Sequence, residues 1–137
     1  MRNYEFVILH LPILSYIRIM KSFAHFLLIL LLAYVAGMVL PWWSVALVAF
    51  LITLMIPLSP GKSFFSAFMA VFVLWMILCF YMDVRNDHLL ANRMSEMILK
   101  VKSAPLIGVV SSFLGALVAG FAASTAAFLR AAKKPAS

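Results

Sequence analysis

Charge is what this sequence has least of. Only 11% of its 137 residues are Asp, Glu, Lys or Arg, against 66% apolar, where a soluble domain carries about 25% charged and about 45–50% apolar residues. That excludes an ordinary water-soluble domain. It also excludes a disordered chain, which needs low hydrophobicity and high net charge. Acids are scarcer still: four, against eleven Lys and Arg, for a formal net charge of +7. In a soluble protein this imbalance would point to nucleic acid. Here the charges flank apolar runs, so no nucleic-acid partner is expected, and the basic residues mark a membrane face with anionic lipid headgroups. There is one cysteine, Cys79. It can form no intrachain disulfide, and a thiolate zinc site would lack its other ligands.

What is present is length of apolar run. Four stretches are long enough to span a bilayer: Phe23–Leu40, Trp42–Leu58, Phe64–Met82 and Leu106–Leu129. None contains Asp, Glu, Lys or Arg. The runs are continuous rather than alternating, which selects helices over a β-barrel. Pro41-Trp42-Trp43 joins the first two spans and Ser59-Pro60-Gly61-Lys62-Ser63 joins the next two. Such tight, helix-breaking turns make antiparallel hairpins. Pro57 is expected to fray or kink the end of the second span.

The third connection, Asp83 to Ala104, carries a pattern of its own. Leu90, Met94, Met97, Ile98 and Val101 recur at helical spacing, with Arg93, Glu96 and Lys100 on the other side. The spacing predicts an amphipathic helix over about 86–102, capped by Asn86 and lying at the membrane interface. Residues 1–22 are nearly as apolar as a span but hold Glu5, His10 and Pro12. They read as a semi-apolar interfacial or partner-bound segment broken at Pro12. The charges do not precede the apolar run as they do in a signal peptide, so this segment is expected to be retained.

The basic residues set the orientation. With the N-terminus inside, one side holds Arg2, Arg18, Lys21, Lys62, Arg130, Lys133 and Lys134 against Glu5 alone. The other side mixes Arg85, Arg93, Lys100 and Lys102 with Asp83, Asp87 and Glu96. The positive-inside rule then places both termini in the cytoplasm.

Few motifs carry chemistry. Gly61-Lys62-Ser63 resembles the end of a phosphate-binding loop, but the position five before Gly61 is Ile56 and no strand precedes it. Asp83, Arg85, Asn86, Asp87 and His88 form the most polar segment. Asp83 and Asp87 share a helical face near His88. The expected role is a solvated interface, with Arg85 pairing an Asp, or a contact with a partner protein. His10 and His25 lack matching histidines on the later spans for a haem, so no cofactor and no metal is expected. Span four is distinct: Gly108, Ser112, Gly115, Ala116, Ala119, Gly120, Ala123 and Ser124 build small-xxx-small pairs. In lipid, helices associate through close backbone approach, which small residues permit. Thr53, Ser66 and the other intramembrane hydroxyls are expected to bond back to their own helices.

The sequence thus predicts an all-α integral membrane protein: residues 23–137 form four transmembrane helices in two hairpins, with an amphipathic interfacial helix between spans three and four. With no charge inside a span, ion-coupled transport is disfavoured. No nucleophile–base pair or metal cluster points to an enzyme. The expectation is a non-catalytic accessory or scaffolding subunit of a larger bacterial inner-membrane complex, of respiratory or secretion and envelope machinery, bound to other integral membrane subunits. The alternative is a small homo-oligomeric channel or carrier for a neutral or hydrophobic solute.

Overall fold

A computed structural model describes residues 3–133, as backbone alone up to residue 10. Arg2 and Lys134, and the side chains of Glu5 and His10, lie outside the described residues. The described chain is helical, with five helices in order: α1 Asn3–Val39, α2 Ser44–Met55, α3 Pro60–Arg85, α4 Leu89–Leu99 and α5 Ala104–Ala132. Three stretches are long and apolar enough to cross a membrane: Leu11–Val39 within α1, then α3 and α5. The chain is therefore of multi-pass membrane type. α2 is apolar but shorter, at 12 residues.

At two prolines the element boundaries differ from the sequence expectation. The break expected at Pro12 is absent, because α1 runs through it as one helix of 37 residues. A proline removes one backbone donor, and a helix this long and apolar keeps its other hydrogen bonds on both sides. The second apolar run, expected as a span over Trp42–Leu58, is helical only over Ser44–Met55. Pro57 disfavours helical geometry in the residue before it, and Ile56 is extended at φ −100°, ψ 116°.

Each long helix buries one stripe. On α1 it is His25, Ile29 and Ala33; on α3, Ser63, Ser66, Ala67, Ala70, Val71 and Leu74. On α5 every buried residue is Ala, Gly or Ser. Helix α3 packs on α1 and α5, and α2 packs on the same two, while among the described residues α1 does not touch α5 and α2 barely meets α3. The four form a ring, with Ala49, Ile52, Ala67, Val71, Ala119 and Ala123 closing its centre. Helix α4 lies across one end against α5. At the opposite end, where α3 starts and α5 stops, stand Lys62, Arg130 and Lys133. These are the α4 end and the basic end below.

Candidate functional site

Polar side chains inside an apolar bundle are costly unless paired, so their placement marks where the fold does something other than fill space. At the basic end, His25 is fully buried on α1. Its Nε2 lies 2.9 Å from Thr53 Oγ1 on α2, and its Nδ1 lies 2.9 Å from Ser66 Oγ on α3. Thr53 uses its single hydroxyl proton on Ala49 O, at 2.7 Å. Thr53 Oγ1 must therefore accept from His25, which makes the neutral ring the Nε2–H tautomer. Ser66 then donates to Nδ1, with Ser22 O at 3.3 Å as its second acceptor. Every polar atom of the triad has a partner.

Arg130 extends this cluster to the fourth helix of the ring. Its Nη1 donates to Thr53 O at 3.0 Å and to Leu54 O at 3.4 Å. The reason is local to α2. Thr53 O would accept from the backbone nitrogen four residues on, which is Pro57 and has no proton. Arg130 supplies the missing donor and sets a positive charge at the negative end of the helix.

The α4 end is built differently. Asp83, in the last turn of α3, has a side chain only 11% exposed. His88 Nδ1 donates to its Oδ2 at 2.6 Å, but the buried Oδ1 has no hydrogen-bond partner. The connecting turn is strained: Asp87 and His88 have φ of 50° and 60°, a region that costs non-glycine residues about 1–3 kcal/mol each. Beside Asp83 is a half-enclosed cavity of about 320 Å³ between α3, α4 and α5. Its lining is almost wholly apolar, with Cys79, Met94 and Ile107 on the walls and Asp83 and Asn86 supplying polar groups. Among the described residues, no group of three or more His, Cys, Asp or Glu is placed to hold a metal ion.

The small residues of α5 face inward. Ser112, Gly115, Ala116, Ala119, Gly120 and Ala123 are buried, and Gly108 and Ser124 are half-buried. A Cβ on Gly115 would stand 2.7 Å from the Trp75 ring, and one on Gly120 would stand 2.8 Å from the Phe64 ring. These contacts are with α3 of the same chain. Phe64 is itself pinned, stacked on Phe68 at 5.9 Å and edge-on to Phe121 at 5.5 Å.

The polar segment from Asp83 departs from its sequence reading in detail. Arg85 does not pair with an aspartate; its Nη1 donates to Tyr81 Oη at 3.3 Å, and its guanidinium lies 5.6 Å from that ring. Asn86 ends α3, and His88, not Asn86, is the residue before α4. Asp87 is exposed. Ser66 bonds across to α1 rather than back to α3. The His25 cluster itself was not assembled from the sequence. Its one legible signal was Pro57, which strands a carbonyl and so requires a donor from elsewhere. The chain matches no protein-family model, and no curated protein or solved structure is similar to it.

Proposed function

We propose that this protein is a non-catalytic subunit of a bacterial inner-membrane complex that docks on other integral membrane proteins through the N-terminal half of α1. The observation that carries the reading is the arm of α1. Every residue from Leu11 to Lys21 is exposed, including Leu11, Ile13, Leu14, Tyr16, Ile17, Ile19 and Met20. The stretch after it, Ser22–Val39, is about 27 Å long and already crosses a hydrocarbon core. Arg18 and Lys62 line one groove at the basic end, at the level where cations meet headgroups. The described stretch beyond them, Leu11–Ile17, is apolar but for Ser15 and the Tyr16 hydroxyl, and an apolar helix exposed in this way is covered in its working state.

Both termini are cytoplasmic in this reading, by the positive-inside rule. The short α2 makes the fourth crossing with its extended flanks, since extended chain advances about 3.3 Å per residue against 1.5 Å in a helix. A pore through one chain is not part of the proposal, because Ala67, Ala70, Ala116, Ala119 and Ala123 stand at 0% exposure in the bundle. The test is site-specific photo-crosslinking in native membranes. A photoreactive residue at Ile13 or Ile17 is expected to give discrete adducts with one and the same membrane protein. One at Phe80, exposed at the far end of α3, is expected to give none. Lipid or self adducts alone at every position would overturn the reading.

A further inference from the structure

We infer that the groove between α1 and α3 at the basic end seats one anionic phospholipid, with its phosphate between Arg18 and Lys62 and an acyl chain against the side chains below them. The groove holds about 540 Å³ and is walled by these two helices alone. Its polar and apolar parts are sorted along its length. His25 on α1 and Ser66 on α3 stand at one level, because their side chains bond directly. Arg18 lies seven residues before His25, and Lys62 four before Ser66. At 1.5 Å per residue, the two cations stand roughly 10 Å and 6 Å above that level, toward the basic end. Phe23 and Phe65 lie between, and Phe26 and Met69 lie just below. Both helices run away from the basic end, so on each wall a cation comes first and apolar side chains follow.

The charge of the groove calls for an anion. The chain has four acids, and none is near. Asp83, Asp87 and Glu96 belong to the α4 end, and Asp83 lies about 32 Å along α3 from Lys62. Glu5 lies roughly 20 Å along α1 from Arg18. Exposed charges more than about 8–10 Å apart are largely screened at ordinary salt. Two cations from two helices that meet in one groove, without an acid in reach, favour a negative occupant. Arg18 offers paired N–H donors that match two phosphate oxygens, and Lys62 adds a point charge. The walls decide between a lipid and a free anion. Phe23 is 64% exposed and Phe65 69%, and a free anion would leave both uncovered, whereas an acyl chain lies against them. A zwitterionic headgroup fits less well, because its ammonium finds no carboxylate. Basic pockets between membrane helices on the cytoplasmic side take lipid phosphates by this same logic. The inference does not rest on the docking role. At 3.6 residues per turn, Ile13 and Ile17 stand on the face of α1 opposite to Arg18, Ile19 and Ser22, which line the groove.

The test uses the full-length protein, stripped of lipid in detergent. It is titrated with phosphatidylglycerol and with phosphatidylcholine of the same acyl chains, and binding of the first lipid is read by native mass spectrometry. Phosphatidylglycerol is expected to bind at least tenfold more tightly, since each cation at the headgroup level contributes about fivefold. Arg18→Gln combined with Lys62→Gln is expected to bring the two affinities within about twofold of each other. Arg93→Gln combined with Lys102→Gln removes the same charge at the α4 end and is expected to leave the ratio unchanged. Phosphatidylglycerol with a diazirine in its acyl chain is expected to label residues 22–27 and 64–70 above all others.

Equal affinity for the two lipids, a preference that survives the Arg18 and Lys62 changes, or labelling spread evenly over the helices would overturn the inference. So would an equal loss of preference from the Arg93 and Lys102 changes. The headgroup comparison and the labelling map use the unaltered protein, so they decide even if a variant does not fold. Glycerophosphoglycerol, the same headgroup without chains, is expected not to displace the lipid at millimolar concentration. Displacement would assign the groove to a free phosphodiester instead. Every readout is of the isolated protein, so failure here and failure of the docking reading are told apart.

Discussion

Two polar clusters, one at each end of the bundle, are paired to different degrees, although Ser63 Oγ near the first of them is also buried without a partner. At the basic end, His25, Thr53 and Ser66 satisfy one another, and each hydroxyl also has a carbonyl within reach. At the α4 end, Asp83 is half satisfied, with Oδ2 on His88 and Oδ1 shut in without a partner, and the turn beside it is strained. Fully paired polar networks rigidify a fold, while a buried unpaired group costs stability. The difference teaches that the His25 cluster is closed within the chain, while the carboxylate of Asp83 is closed on one oxygen only.

That contrast can be broken by substitution, beginning with the largest expected effect. Gly120→Ala drives a methyl into the pinned Phe64 ring near the basic end and is expected to cost up to about 3 kcal/mol, the cost of overpacking a fitted interface. Thermal unfolding in detergent reads this directly. His25→Leu removes two interhelical hydrogen bonds and is expected to cost about 1–3 kcal/mol, since such bonds in membrane proteins average about 0.6 and reach about 1.7 kcal/mol each. A double-mutant cycle with Thr53→Val sharpens the point: the two losses are expected not to add, as is usual for residues in one network. Additive losses would mean that the His25–Thr53 bond contributes nothing.

Smaller effects follow. Arg130→Met returns Thr53 O and Leu54 O to their unpartnered state and is expected to cost about 1–2 kcal/mol, read by melting and by faster hydrogen exchange at the end of α2. At the α4 end, Asp83→Asn keeps an acceptor for His88 while removing a buried charge whose second oxygen has no partner, so stability is expected to hold or to rise by up to about 1 kcal/mol. Gly108→Ala is expected to be nearly silent, because its Cβ would stand 3.6 Å from Cys79 Cβ, an ordinary van der Waals contact. A large loss of stability from Asp83→Asn would make Asp83 as structural as His25 and erase the contrast between the two clusters.

Much of the architecture was legible because membrane helices announce themselves by continuous apolar runs. Spans one, three and four stand where the sequence places them, within longer helices, and so does the helix between spans three and four, trimmed at both ends. The small residues of α5 were legible as a packing surface, but which helix they meet was not, since a stripe of glycine and alanine fits any close neighbour. Legibility failed where backbone rules compete. Pro12 reads as a break, but a helix in apolar surroundings gains too much from continuity to stop there. Pro57 does stop α2, because extended chain follows directly. Pairings such as His25 with Ser66, 41 positions apart, depend on which faces the ring turns inward, and local spacing carries no record of that. The partial pairing of Asp83 depends on the left-handed turn at Asp87 and His88, a conformation that Asp and His adopt more readily than most side chains but that helical spacing does not announce.

The bond from Arg130 to Thr53, across 77 positions, bears on how the chain comes to be made. A ribosome adds about 5–20 residues per second, so α2 emerges roughly 4–15 s before its remote donor exists. During that interval the first half of the molecule carries an end with nothing to close it. Helix α5 supplies the arginine and also the last two sides of the ring, against α2 and α3. Completion of the bundle thus waits for the synthesis of α5, and the earlier hairpin is a provisional arrangement that α5 makes permanent.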